Sequence, residues 1–91
     1  MSTVRRRVLA HGRVQGVFFR DAVRGLAQDA GVAGFVRNRD DGTVEAVLEG
    51  APEAVGQLVD FCRSGPPDAH VERLDVGEEP PEGLSGFRVI G

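Results

Sequence analysis

The chain has 91 residues, of which 41% are hydrophobic, 27% charged and 5% aromatic, a composition typical of a globular protein. This length predicts one domain spanning residues 1–91. The formal net charge of -3 argues against nucleic-acid binding driven by counterion release.

A single cysteine, Cys62, excludes an internal disulfide and favours a reducing compartment. No apolar run approaches the ~20 residues of a membrane helix, and the first residues lack the apolar core of a signal peptide. We therefore expect a cytoplasmic protein with no membrane partner, and a monomer is the default expectation for so small a domain.

The first part of the chain predicts a strand followed by a helix. Apolar and basic residues alternate, imperfectly, between residues 4 and 14, which predicts a strand with one buried face. We expect the basic residues from Arg5 to Arg7 to form a solvated face of this strand, and a weak anion-binding patch is the alternative. From residue 19 to 30 the apolar residues recur at three- and four-residue spacing, which predicts a helix that Gly31 ends.

The middle of the chain predicts a hairpin and a second helix. Short β-like runs at 34–39 and 43–50 flank Asp40, Asp41 and Gly42, a strong turn sequence. Pro52 suits the first position of a helix. Its apolar stripe includes Cys62, which predicts a buried thiol.

The last part of the chain predicts a weak strand at 71–76, a polar loop at 78–85 and a short strand at 87–90. The element order is βαββαβ, with one strand doubtful or split near the end. This order predicts an α+β fold of the ferredoxin-like, split βαβ type, in which an antiparallel sheet carries two helices on one face. The fold hosts many activities and does not by itself indicate a function.

The junction between the first strand and the first helix lacks a capping side chain. Gln15, Gly16, Val17 and Phe18 include none of the residues that usually accept hydrogen bonds from the first N–H groups of a helix. Arg20 places a cation near the positive end of the helix dipole. A bound phosphate would explain both features, because it would accept from the free N–H groups and from the guanidinium. The alternative is a helix end capped by water or Gln15, beside a solvated arginine.

A second polar feature is Asn38, which precedes the hairpin turn. Asn is common in turns, so turn chemistry is one interpretation. In a split βαβ sheet this strand end can lie near the first loop, where Asn38 could hydrogen-bond a water directed at the phosphate.

Two segments together closely resemble the acylphosphatase family. They are Gly-Arg-Val-Gln-Gly-Val-Phe-Phe-Arg at residues 12–20 and Gly-Phe-Val-Arg-Asn-Arg-Asp-Asp-Gly-Thr-Val at residues 34–44. The resemblance spans nearly the whole chain in length, element order and motif spacing. The phosphate-binding loop that it implies consists of Gln15, Gly16, Val17, Phe18, Phe19 and Arg20. The resemblance also implies that Arg20 binds the phosphate and that Asn38 orients the attacking water.

The implied enzyme is a hydrolase acting on the carboxyl–phosphate anhydride bond. Its substrate is a small acyl phosphate, and its products are a carboxylate and inorganic phosphate. The resemblance implies no metal, no cofactor and no covalent intermediate. The leaving carboxylate has a conjugate acid with a pKa of about 4, so it needs little help from a general acid.

Two other functions are compatible with the fold. An RNA-binding module would need aromatic residues on its central strands for base stacking, but the first strand has none and the chain lacks Trp and Tyr. A non-catalytic phosphate sensor would keep Arg20 without requiring Asn38. The presence of both residues in their family contexts favours the enzyme.

Overall fold

Five strands and two helices make up residues 2–91, the part of the chain that the computed structural model describes. The elements in chain order are β1 (Val4–Arg13), α1 (Phe19–Ala30), β2 (Ala33–Asn38), β3 (Val44–Gly50), α2 (Pro52–Cys62), β4 (His70–Glu79) and β5 (Phe87–Ile90). Neither helix in this part of the chain is long and apolar enough to cross a membrane.

The strands form one sheet in the order β4-β1-β3-β2-β5. β1 pairs antiparallel with β3 and β4, and β2 pairs antiparallel with β3. β5 pairs parallel with β2, so the sheet is mixed rather than wholly antiparallel as expected. The chain leaves β4 at one edge and crosses to the opposite edge, where β5 runs in the direction of β2. The predicted ferredoxin-like fold class is confirmed.

The hydrophobic core lies between one face of the sheet and the two helices. Its buried apolar side chains include Val8, Ala10, Val23, Ala27, Val36, Val44, Ala46, Leu48, Val55, Leu58 and Cys62. Burial of each valine or leucine side chain stabilises the fold by roughly 1.5–3 kcal/mol. Cys62 is 1% exposed, as predicted, and burial raises the pKa of its thiol to about 12. This thiol is therefore protonated at neutral pH and serves packing.

The opposite face of the sheet carries arginines paired with glutamates. Arg5 is only 5% exposed, and its Nε donates to Glu79 Oε1 at 2.8 Å. Its Nη1 lies 3.5 Å from Glu49 Oε1. Arg7 donates to Glu79 Oε2 at 2.6 Å and also to Glu45. The expectation that this face would be solvated is wrong for Arg5, and carboxylates on the neighbouring strands partly cover Arg7, whose side chain is 36% exposed.

β4 is longer than the sequence pattern predicts. It runs from His70 to Glu79, so the predicted loop at 78–85 begins in fact after the strand. The edge strand is mostly exposed, which leaves little hydrophobic alternation to detect. Its last residues are held instead by pairing with β1, in which Arg5 lies opposite Glu79, and by the ion pairs of that carboxylate.

The Glu79 ion pairs predict acid-sensitive stability. Hydrogen bonds from Arg7 and Arg5 lower the pKa of Glu79 to about 2, whereas an unfolded glutamate has a pKa of about 4.3. This stabilisation is complete above the unfolded pKa and is lost as the pH falls through the folded pKa. Glu79→Gln should therefore lower the melting temperature at pH 7, and the difference from the original protein should narrow as the pH falls from about 4.3 towards about 2.

Thermal unfolding followed by circular dichroism at several pH values measures this difference. Glu78→Gln is the matched control, because Glu78 is 79% exposed and pairs with Arg6 at 3.2 Å. It should have a smaller effect. A difference between Glu79→Gln and the original protein that did not change with pH would contradict the ionic explanation.

Candidate functional site

The start of α1 has no side-chain cap. Phe18 occupies the N-cap position with left-handed backbone angles, φ 65° and ψ 23°, and no side chain accepts a hydrogen bond from the helix end. The backbone bond that begins the helix runs from the Ala22 N–H to the Phe18 carbonyl at 3.1 Å. The N–H groups before Ala22 therefore have no partner inside the helix and carry its partial positive charge.

Gln15 fastens the β1–α1 loop to the hairpin. Its Nε2 donates to the carbonyl oxygens of Arg39 and Thr43, at 2.8 and 3.0 Å. The interpretation in which Gln15 caps α1 is therefore wrong. The amide instead joins the loop to the turn that follows Asn38, so it fixes the two predicted site segments relative to each other.

The far end of the loop is anchored by Phe19. Its side chain is 2% exposed and packs against Phe61, with ring centroids 6.3 Å apart. Gly65 lies so close that a Cβ added there would be 2.6 Å from Phe19 Cε2. Gly65 lies three residues beyond the end of α2. It gives space to the ring that anchors the first residue of α1.

Gly16 leaves the front of the loop open. Its φ of 75° is a conformation that favours glycine, and an added Cβ would meet no atom within 4 Å. The backbone is therefore accessible to a ligand at this point. Val17, in contrast, buries its side chain and is 5% exposed.

A cavity of about 260 Å³ lies in front of the loop. Its lining residues are Val14, Gly16, Phe18, Phe19, Arg20, Asp21 and Asn38. The structure thus brings Arg20 and Asn38 to one cavity with most of the predicted loop. Gln15 and Val17 belong to the same loop but do not line the cavity. The Gln15 amide is bound to the hairpin, and the Val17 side chain lies in the core.

Arg20 gives the cavity a positive charge that no Asp or Glu side chain within residues 2–91 neutralises. Within residues 2–91 its guanidinium makes one hydrogen bond, from Nη1 to the Gly91 carbonyl oxygen at 3.5 Å, and pairs with no Asp or Glu side chain. The neighbouring Asp21 lies 3.4 Å from Arg24 instead. A free guanidinium beside the positive end of a helix dipole favours binding of an anion.

Asn38 presents an unsatisfied acceptor. Its Oδ1 is buried and has no hydrogen-bond partner in the described part of the chain. The turn uses other groups, since Asp41 Oδ1 accepts from the Thr43 N–H at 3.0 Å and from the Thr43 hydroxyl at 2.6 Å. The turn interpretation therefore does not explain the Asn38 side chain. An unpaired buried polar atom costs about 1–3 kcal/mol, and a small rotation of the amide towards a water in the cavity would remove that cost.

Metal ligands are not clustered in this part of the molecule. Residues 2–91 contain no group of three or more His, Cys, Asp or Glu side chains that could hold a metal ion. The positive charge at the cavity comes from Arg20 and from the N–H groups at the start of α1.

The family model and the curated sequence relatives indicate one family. The acylphosphatase family model matches residues 6–89. The acylphosphatase of Gloeobacter violaceus is 57% identical over 89 residues, covering 98% of this chain and 96% of its own length. That of Thermococcus kodakarensis is 52% identical over the full length of both chains. The crystal structure of acylphosphatase from Bacillus subtilis superposes with a TM-score of 0.92 at 37% identity, covering 97% of this chain and 99% of that one.

The Gln15 amide predicts a stability effect. Gln15→Ala removes two hydrogen bonds between the loop and the hairpin and should lower the free energy of unfolding by about 1–2 kcal/mol. Urea unfolding measures this change. Gln57→Ala, at an exposed position of α2, is the control and should stay within about 0.5 kcal/mol of the original protein. Equal stability of the two variants would contradict the fastening role of Gln15.

Proposed function

The chain belongs to the acylphosphatase family and is a hydrolase of that type, and from this premise we propose that it hydrolyses acyl phosphates to a carboxylate and inorganic phosphate. The observation that carries the proposal is one cavity lined by both Arg20 and Asn38. Within residues 2–91 the Arg20 guanidinium pairs with no Asp or Glu side chain, and Asn38 Oδ1 has no hydrogen-bond partner. A fold-level likeness alone would not support an activity. The two polar groups supply the chemistry that the reaction needs.

The phosphate-binding role falls to the loop from Gln15 to Arg20. We assign the phosphoryl oxygens to the free N–H groups at the start of α1, with Arg20 as the charged ligand. The open backbone at Gly16 supports this assignment, since a phosphate needs close approach to the main chain. Val17 and Phe19 would contribute through their N–H groups alone, because their side chains are buried.

The water-orienting role falls to Asn38. Its side chain lines the cavity, and after a small rotation of the amide the unpartnered Oδ1 can accept a hydrogen bond from a water molecule beside the bound phosphate. Such a bond would hold the water oxygen in line with the phosphorus–oxygen bond that breaks. Positioning of this kind accelerates a reaction because the entropy of bringing the reactants together is lost on binding.

The reaction needs little acid–base help. A carboxylate is a good leaving group, because its conjugate acid has a pKa of about 4. Phosphoryl transfer depends chiefly on positioning and on stabilisation of charge at the equatorial oxygens. Arg20 and the loop N–H groups supply that stabilisation, and a substrate phosphate oxygen accepts the proton of the water. We therefore propose a metal-independent hydrolysis without a covalent intermediate.

Replacing the two proposed site residues should have different effects on phosphate binding and turnover. Arg20 binds the phosphate in both the ground state and the transition state, so Arg20→Ala should weaken phosphate binding and lower turnover by about 10³-fold or more. Asn38 contacts the water, so Asn38→Ala should keep phosphate affinity while turnover falls by roughly 10²–10³-fold. Steady-state hydrolysis of benzoyl phosphate measures turnover. The rise in melting temperature with inorganic phosphate measures binding.

Arg24→Ala is the matched control, because Arg24 is an exposed arginine of the same helix that does not line the cavity. It should resemble the original protein in both measurements. Circular dichroism must first show that each variant is folded. Full turnover in Asn38→Ala would refute the water-orienting role and favour the phosphate-sensor alternative. A phosphate-induced shift that persisted in Arg20→Ala would place the phosphate elsewhere.

The metal-independent mechanism has its own test. Dialysis against EDTA should leave the rate of benzoyl phosphate hydrolysis unchanged, because the proposed charge stabilisation comes from Arg20 and backbone N–H groups. Control samples receive magnesium or zinc after dialysis. Loss of activity with the chelator and its recovery with either metal would overturn this part of the proposal.

A further inference from the structure

The cavity exposes one apolar side chain. Phe18 is 75% exposed, whereas the next most exposed large apolar residue within residues 2–91, Ile90, is 44% exposed. The other apolar side chains of the cavity wall are inaccessible, since Val14 is 1% and Phe19 is 2% exposed. A ligand in the cavity can therefore gain apolar contact area chiefly from Phe18.

The backbone of Phe18 is strained. Its φ of 65° makes it the single non-glycine residue with a positive φ in the part of the chain that the structure describes. This conformation costs a residue with a Cβ roughly 1–2 kcal/mol, and glycine would adopt it freely. Phe18 therefore carries two costs, backbone strain and an exposed ring. Backbone strain held at a cavity points to a function of that residue.

We propose that the Phe18 ring binds the acyl group of the substrate and gives the enzyme a preference for aromatic acyl phosphates. The inference rests on the proposed function, because it needs the phosphate on the same loop. An acyl phosphate has an anionic end and an organic end, and the cavity offers both chemistries, with Arg20 and Asn38 as polar groups and Phe18 as the apolar surface. Phe18 is the N-cap residue of α1 and adopts the αL conformation there. The first N–H groups of α1 have no side-chain cap at this turn.

An aromatic acyl group gains most from this arrangement. Two aromatic rings stack with offset or edge-to-face geometry and gain about 0.5–1.5 kcal/mol beyond the burial of their area. An acetyl group has one methyl carbon with which to contact the ring. We therefore use the ratio of kcat/KM for benzoyl phosphate to kcat/KM for acetyl phosphate. The change in this ratio when Phe18 is replaced measures the contribution of the Phe18 ring.

The test compares this ratio in the original protein, Phe18→Gly and Phe18→Leu. Phe18→Gly should lower the ratio about tenfold, mainly through a higher KM for benzoyl phosphate, and Phe18→Leu should give an intermediate ratio. Inorganic phosphate has no acyl group, so its inhibition constant should change less in these variants than the benzoyl-to-acetyl ratio of kcat/KM does. Leu26→Ala, at an exposed position of α1 away from the cavity wall, should keep the original ratio.

Stability separates the ring's binding role from a structural one. Glycine relieves the positive φ, so Phe18→Gly should melt no lower than the original protein even though its selectivity falls. An unchanged ratio in Phe18→Gly, or equal losses with both substrates in both Phe18 variants, would overturn the inference while leaving the proposed function intact. If the original protein hydrolysed neither substrate, the proposed function would fail and this inference with it.

Discussion

The candidate site depends on the attachment of the β1–α1 loop to the β2–β3 hairpin. β3 lies between β1 and β2 in the sheet, and neighbouring strands are about 4.8 Å apart, so the ends of β1 and β2 are separated by roughly 10 Å. The Gln15 side chain spans this gap by donating to carbonyl oxygens on both sides of the turn, at Arg39 and Thr43. Asn38, one residue before Arg39, is held beside the loop for this reason. The relative position of the β1–α1 loop and Asn38 thus depends on a neutral side chain, the Gln15 amide.

The arrangement of ion pairs explains how a negatively charged chain forms a positive cavity. On the open face of the sheet, Arg5 and Arg7 are paired with glutamates of β3 and β4, so their charge is neutralised locally. Within residues 2–91, Arg20 has no Asp or Glu partner. At physiological ionic strength charges more than about 8 Å apart are largely screened, so an approaching anion responds to Arg20 and the helix end rather than to the net charge of -3.

The sequence predicted the features that depend on local patterns. Apolar spacing located both helices, the turn residues located the hairpin, and two motifs identified Arg20 and Asn38, which the structure places at one cavity. The length of β4 and the burial of Arg5 were missed because they depend on partners about 70 residues away, which periodicity does not reveal. The left-handed conformation at Phe18 was missed because that region is uncommon for a bulky residue.

Three unfavourable features meet at the cavity. α2 also starts without a side-chain cap, but it begins with Pro52, which has no N–H to satisfy, and α1 ends in a glycine whose N–H bonds back to the last turn. Within residues 2–91 the other buried side-chain atom without a hydrogen-bond partner, a guanidinium nitrogen of Arg5, lies 3.5 Å from a glutamate oxygen. The uncapped start of α1, the strained Phe18 and the orphaned acceptor of Asn38 all line one cavity. A bound phosphate and its water would satisfy the N–H groups and the acceptor together. Such a ligand would therefore stabilise the fold by restoring hydrogen bonds that the described part of the chain leaves unmade.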